Sequence, residues 1–523
     1  MGDGVSILES CRQWLVELSV YLWCIVVRLV FSLWFLWKKP LPLPPASDKL
    51  LLRSATSLAA DIRDGKVKSV DLISAYIRRI REVQPIINAV VEERFEEALE
   101  DAKEVDRLVA SGTLSASQMS KEKPLLGIPF TSKNSIAIKG LRQDAGSPFW
   151  HGRRAEEDAP SVALLRAAGA IPLALTNVCE MCMWDNALNL VDGRTGNPHD
   201  TRRSPGGSSG GEGSLLAAAG SLIGLGTDIG GSVRSPAAYC GIFGHKPTAG
   251  VVPNTGLLPD VGENLGEFNC VGPMTRFAED LPLMLNVLAG SATNGLRLNE
   301  KVNMKTLKLY YMDTEGSRYI SRVTTEARLP VTQHLNAVHG LEAQPLHLPE
   351  LQFALFMWYK VCNAMQDKPL AEMFRPGGFN ILVELLRYLV GAGRHTLAAL
   401  TACTYMKFNR FSTKQEADAY IASLNSARDR LEETLGDDGV LILPAAVSAA
   451  PFQNQDLLLV VAKRGNDRLN LAVAREIEKH FGGWNDPSSK MQGKLVDETM
   501  GTELPSACHF RERYSCLRRD LRA

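Results

Sequence analysis

Two glycine-rich segments stand close together in the chain: Pro205-Gly206-Gly207-Ser208-Ser209-Gly210-Gly211-Glu212-Gly213 and Gly226-Thr227-Asp228-Ile229-Gly230-Gly231-Ser232, separated by the apolar run Leu215 to Ala219. Glycine lets a backbone approach a ligand closely and turn consecutive N–H groups towards one point. Serines inside such loops are candidate nucleophiles. Glycines serving turns alone account for one such loop, but poorly for two with serine at the crest of each. A phosphate-binding loop would end in Gly-Lys-[Ser/Thr], which is missing here. The dinucleotide fingerprint fails because Gly224 and Gly226 are followed by Ile229 where a third glycine belongs. Gly207-Ser208-Ser209-Gly210-Gly211 satisfies G-x-S-x-G, yet Arg202-Arg203-Ser204-Pro205 precedes it, and a nucleophile elbow needs a strand there.

The surrounding pattern supplies the scaffold. Leu125 to Phe130 reads as a strand, Pro160 to Ala168 as a helix closed by Gly169, and Ile171 to Thr176 as the next strand. Alternation of this kind predicts a parallel sheet flanked by helices. Ser57 to Gln84 carries apolar residues at helical spacing, with Ser69 as an expected N-cap. Gly439 to Pro444 reads as a late buried strand. Leu457 to Ala462 is long enough for a short one, and Asn470 to Phe481 reads as a terminal helix. Phe379 to Phe411 holds two apolar stretches, Ile381 to Val390 and Leu397 to Met406, split by Gly391 and Gly393 and edged by Arg387, Arg394, Lys407 and Arg410. A hairpin with basic rims suits a lipid surface, and ordinary core helices would look much the same.

Charge narrows the partners. With 58 Lys+Arg against 58 Asp+Glu, the chain lacks the basic excess of a nucleic-acid surface and the charge imbalance of a disordered one. No nucleic-acid partner is expected. Ten cysteines in 523 residues are too sparse for a disulfide framework. Cys179 and Cys182 form the one close pair, without the second pair a zinc site would need, so no metal is expected.

Trp14 to Trp37 is mostly Leu, Val, Ile, Phe and Trp. As a helix it would extend about 36 Å, enough for a hydrocarbon core of roughly 30 Å. Glu17 can reach the interface, whereas Arg28 sits well inside at a cost of about 3 kcal/mol. A signal anchor or embedded segment fits better than a cleaved leader, since Pro40, Pro42, Pro44 and Pro45 stand where small residues would mark cleavage. Lys38, Lys39 and Lys49 against Arg12 favour a cytoplasmic main body.

Gly206 to Pro247 resembles the signature of the amidase signature family. Gly127-Ile128-Pro129-Phe130-Thr131-Ser132-Lys133 resembles the motif that carries that family's catalytic lysine, and Gly272-Pro273-Met274-Thr275-Arg276 is similar to another of its recurrent pieces. The resemblance implies an α/β amidase-signature fold, a mixed central sheet flanked by helices, here with an N-terminal membrane anchor helix. It implies Lys133 as base, Ser208 as bridging serine, Ser232 as nucleophile, and the N–H groups of Ile229, Gly230, Gly231 and Ser232 as oxyanion hole. No cofactor is implied. A lysine base must be neutral to act, and burial disfavours the ammonium. A hydroxyl both donates and accepts, so Ser208 can pass a proton between Ser232 and Lys133. Asp228 and Arg234 read as a charge pair shaping the loop. His245 reads as a packing or hydrogen-bonding residue. Cys182, Met183 and Trp184 divide between substrate contact and core packing.

The activity implied is hydrolysis of fatty-acid amides at a membrane, endomembrane or lipid droplet, with membrane lipid as partner and a homo-oligomer compatible. A catalytically silent membrane protein and an amidase for small polar amides remain open. The domains expected are an anchor and proline-rich linker at 1–47, the amidase-signature domain at 48–484, and a polar, disordered tail at 485–523. Between Ala450-Pro451 and Asn470 a stretch of the family pattern, carrying sheet strands and part of the acyl-site wall, is missing.

Overall fold

The computed structural model describes residues 39–313, 322–351, 354–408, 411, 413–445 and 458–488. The expected anchor at 14–37 and most of the polar tail lie outside the described residues. Among the described residues, no helix is long and apolar enough to cross a membrane.

Six strands make the larger sheet: β1 (Val90–Glu93), β2 (Pro129–Lys133), β3 (Ile171–Thr176), β4 (Ile223–Asp228), β5 (Phe243–Gly244) and β6 (Cys270–Thr275), in the order β1-β3-β2-β4-β6-β5. β3, β2 and β4 run parallel, while β1 and the β6-β5 edge are antiparallel. The sheet is therefore mixed, and the purely parallel pattern holds only at its centre. All residues of β2, β3, β4 and β6 are buried, which is why they read as continuous apolar or small runs rather than alternating ones. β2 begins at Pro129, later than the apolar run from Leu125 suggests. Leu125 and Gly127 instead bond to Ala168 and Gly169 in a turn before the strand.

Helices α1 (Ser69–Ile87), α2 (Pro160–Ala167) and α3 (Gly210–Ala217) flank this sheet. Ser69 is the first helical residue of α1 rather than its cap. Asp106 accepts from the N–H groups of Ser69 and Val70 at 2.7 and 3.2 Å, so a carboxylate from another helix supplies what a capping side chain would. Two buried arginines join layers. Arg79 on α1 donates to the carbonyl of Ala218 beyond α3, and Arg276 after β6 donates to Leu51 O and Tyr76 Oη while stacking over Trp484 at 4.8 Å.

A second sheet is built from β7 (Lys308–Tyr311), β8 (Ala343–Pro345), β9 (Gly439–Pro444) and β10 (Leu458–Ala462), in the order β8-β7-β9-β10. β9 is the expected buried strand. The run at 458–462 pairs antiparallel with it, Val440 opposite Ala462 and Pro444 opposite Leu458. The remaining helices used below are α4 (Arg234–Cys240), α5 (Ala354–Met365), α6 (Ile381–Leu389), α7 (Leu397–Phe408) and α8 (Asp467–Phe481).

Candidate active site

Lys133 is the last residue of β2 and is fully buried. Its Nζ lies 2.6 Å from Ser208 Oγ and 2.7 Å from Thr227 Oγ1, and it forms no ion pair with any described residue. The parallel centre of the sheet creates this meeting. β2 and β4 deliver Lys133 and Thr227 to the same sheet end, and the first glycine segment brings Ser208 over them before α3 begins. Ser209 N–H donates to Ser232 O at 3.2 Å, so the two glycine segments are joined through their backbones. Ser208 and Ser232 line one cavity.

The second segment is shaped by Asp228. Its Oδ1 accepts from Gly231 N–H at 2.8 Å, its Oδ2 from Val233 N–H at 3.1 Å, and both oxygens pair with Arg234 at 2.8 and 2.9 Å. Burial alone would raise the Asp228 carboxyl, but the charge and hydrogen bonds of Arg234 with the N–H groups of Gly231 and Val233 outweigh it and hold the group well below the usual carboxylate range. This is the loop-shaping pair expected from sequence. Gly231 has φ +122°, open to glycine almost alone. Among the described residues, the N–H groups of Ile229, Gly230 and Ser232 have no partner, whereas that of Gly231 donates to Asp228.

The cavity at Ser208 and Ser232 encloses only about 80 Å³. Its walls include Cys182 and Met183 from the loop after β3, Trp358 and Tyr359 on α5, and Met373 and Met406. Trp184 is not among them. Its backbone N–H and carbonyl both bond to Cys179 Sγ, at 3.1 and 3.2 Å, and its side chain packs in the neighbouring apolar cluster. A far larger groove of about 1750 Å³, between β10, α8 and the loop from Ala249 to Glu267, adjoins this cavity and shares Ile229, Leu257, Pro259, Val261, Asn269 and Trp358 with its walls.

The model of the family described as Amidase matches residues 71–467. This chain belongs to the amidase signature family. Among its curated relatives, fatty-acid amide hydrolase 2 of Homo sapiens is 36% identical over 488 residues, covering 85% of this chain and 92% of that protein. Fatty-acid amide hydrolase 2-A of Danio rerio is 37% identical over 491 residues with the same coverage. In fold, the amidase is similar to a solved fatty acid amide hydrolase (TM-score 0.65, 21% identity, 83% of this chain and 74% of that one) and to the peptide amidase from Stenotrophomonas maltophilia (TM-score 0.66, 22% identity, 83% and 98%).

Several residues of the amidase site carry no motif in sequence. Thr227 is hidden as one more polar residue in a glycine segment. Glu212 was signalled only as the one charge in the otherwise glycine-rich and apolar α3, and its carboxyl is fully buried. Glu180 and His395 are far apart in sequence, yet His395 Nδ1 lies 2.6 Å from Glu180 Oε1, and the imidazole stacks between Phe149 and Phe379. They tie the turn between α6 and α7 to the loop that carries Cys182 and Met183. His245 bonds Asp467 Oδ1 at 2.8 Å, a structural role as expected. Among the described residues, no group of His, Cys, Asp and Glu is arranged to hold a metal ion.

Proposed function

We propose that this amidase hydrolyses the amide bond of lipophilic acyl amides at a membrane surface, with Ser232 as nucleophile, Ser208 as proton bridge and Lys133 as base. The observation that carries the reading is a buried lysine with no carboxylate partner among the described residues, hydrogen-bonded to Ser208, which lines one cavity together with Ser232 on the second glycine segment. Ser232 Oγ attacks the amide carbon while its proton passes to Ser208 and that of Ser208 to Lys133. The oxyanion is met by the unpartnered N–H groups of Ile229, Gly230 and Ser232, each worth typically about 3 kcal/mol. The ammonium of Lys133 returns a proton through Ser208 to the leaving amine. Water then attacks the acyl-enzyme by the same relay and frees the acid.

The fatty-acyl preference and membrane setting rest on the similarity to fatty-acid amide hydrolase 2, on the Trp14 to Trp37 segment, and on the exposed apolar face of α6, where Leu382, Leu386 and Leu389 are 70, 64 and 78% accessible. One observation favours small polar amides instead. A cavity of about 80 Å³ holds no more than two or three waters at roughly 30 Å³ each. The methionines lining it are flexible enough to yield to a chain. One experiment separates the readings: membrane-bound protein is treated with a fluorophosphonate probe, then assayed on an acyl amide series from acetamide to a long-chain primary amide. Labelling that vanishes in Ser232→Ala, with kcat/KM rising with chain length, supports the proposal. A maximum at acetamide transfers it to small amides, and labelling unaffected by Ser232→Ala removes this nucleophile. A parent chain that neither labels nor turns over would be a silent membrane protein.

A further inference from the structure

The floor beneath Lys133 is a carboxyl group with no assigned task. Glu212 sits on the first turn of α3, with Oε2 2.7 Å from Thr131 Oγ1 on β2 and Oε1 2.8 Å from Thr176 Oγ1 on β3. Side chains alternate along a strand, so Thr131 and Lys133 share one face of β2. Thr176 is the residue paired with Lys133 across β2 and β3. Room for the carboxyl comes from Gly224, the partner of Thr131 on β4, where a Cβ would stand 2.1 Å from Oε2. Glu212 is thus built into the sheet directly beside the lysine.

Counting protons decides its charge. Three contacts run in series: Glu212 Oε2 to Thr131 Oγ1 at 2.7 Å, Thr131 Oγ1 to Ser221 Oγ at 2.9 Å, and Ser221 Oγ to the carbonyl of Ile223 at 3.0 Å. Each needs one proton between its oxygens, and the two hydroxyls supply two. A carboxylate would leave one contact with lone pairs facing each other at hydrogen-bonding distance. A carboxylic acid supplies the third proton: Glu212 donates to Thr131, Thr131 to Ser221, and Ser221 to Ile223 O, while Oε1 accepts from Thr176. We propose that Glu212 is a neutral carboxylic acid in the resting enzyme, a positioning residue that fills the floor under Lys133 without giving it a counter-ion.

The inference rests on Lys133 being the base, since a carboxylate here would favour the ammonium, which cannot take a proton from Ser208. The helix N-terminus favours an anion, but no described backbone N–H donates to Glu212. Burial pushes its carboxyl up to about 8, against the hydrogen bonds of Thr131 and Thr176 and the charge of Lys133. Another titratable group near Lys133 is the Cys179 thiol, which burial pushes far above its usual range and so leaves uncharged.

Glutamine reproduces the proposed pattern, its N–H donating to Thr131 and its oxygen accepting from Thr176. Glu212→Ala should lower amide kcat/KM about a hundredfold, Glu212→Gln should recover it to within about threefold of the parent, and the acid limb of the pH profile should stay in place. Infrared difference spectra with isotopically labelled glutamate should show a protonated carboxyl band at pH 7 that Glu212→Gln removes and Thr131→Val, which deletes the acceptor, shifts. A carboxylate band in its place, or an acid limb moved down by about a unit or more in Glu212→Gln, would overturn the proposal. The infrared band reads Glu212 alone. If it is present while Ser232 takes no probe, the reading of the site as a hydrolase fails and the protonation state stands.

Discussion

If Lys133 is the proton acceptor proposed, truncating it removes that group while leaving Ser232, Ser208 and the glycine loop in place. Lys133→Ala is therefore expected to lower amide turnover by several orders of magnitude and turnover of the matched ester by much less, because an alkoxide leaves with less help from a proton. Comparable losses on the two substrates, measured by kcat/KM, would deny the lysine its second role as acid. Asp228 acts one step away. Asp228→Asn leaves the guanidinium of Arg234 without its anion and should destabilise the protein by about 2–4 kcal/mol, read by chemical denaturation. The wild-type group also predicts a pH dependence. Its carboxyl is lowered in the folded state, so its stabilisation is complete above the unfolded value near 3.9 and is lost as pH falls through the folded one. The difference in stability between wild type and Asp228→Asn should therefore be flat from neutrality to about pH 5 and shrink only in stronger acid. At this scale the family resemblance singled out Lys133, Ser208 and Ser232, of which Lys133 and Ser208 meet at 2.6 Å, and the residues themselves suggested the Asp228–Arg234 pair. The sequence hid Glu212, Thr227 and the Glu180–His395 contact, whose meaning arises only when strands far apart in the chain come side by side.

The α6–α7 hairpin shows how far an element can be read. Both helices formed within a residue or two of the apolar stretches that predict them, but those stretches have similar hydrophobicity and do not say which faces solvent. The structure divides them. α6 exposes Leu382, Leu386 and Leu389, whereas Ala399, Leu400, Ala402, Cys403 and Met406 of α7 are buried. What holds α6 in this exposed position is charge: the nearly inaccessible Glu384 pairs with Arg387 and with Arg394 in the following turn. An apolar face rimmed by arginines fits a lipid surface with anionic headgroups. Burying a leucine contributes roughly 1.5–3 kcal/mol. Leu386→Glu with Leu389→Glu should lower binding to anionic vesicles at least about tenfold, in protein lacking residues 1–38, while probe labelling in detergent persists. Vesicle binding equal to that of the parent would show that α6 does not touch lipid.

Across the whole molecule, the parallel centre of the main sheet was legible in part: β3 and the start of β2 read as unbroken buried runs, whereas β4, whose second half lies in the glycine segment, did not read as a strand. The antiparallel edges of the sheet were not legible, since strand direction depends on connections rather than composition. The second sheet carries the open question. The expectation from sequence is that a stretch of the family pattern is missing between Pro451 and Asn470, which leaves either a broken edge or a replacement strand at 457–462. Residues 458–462 pair with Val440 to Pro444, five of the six residues of β9. Leu458, Val460 and Ala462 turn towards the cluster of Leu469 and Val473 on α8, and Leu459 and Val461 towards that of Leu435 and Leu441. An apolar residue at every position is what a strand covered on both faces requires. Among the described residues β10 is also the last strand of its sheet and is only half-buried, and its outer edge has no strand partner there. If β10 is the strand that completes this fold, a charge on its α8-facing side should unseat it. Val460→Asp is expected to cost about 2–3 kcal/mol, seen as a lower denaturation midpoint, faster proteolysis near β10 and loss of detergent-free monomer. Lys463→Glu, at a half-buried position just past the strand where a surface pair with Asp437 is lost, should cost no more than about 1 kcal/mol and leave the monomer intact. A Val460→Asp protein as stable and monomeric as the parent would mean that β9 does not depend on β10, and that the chain is held together without it.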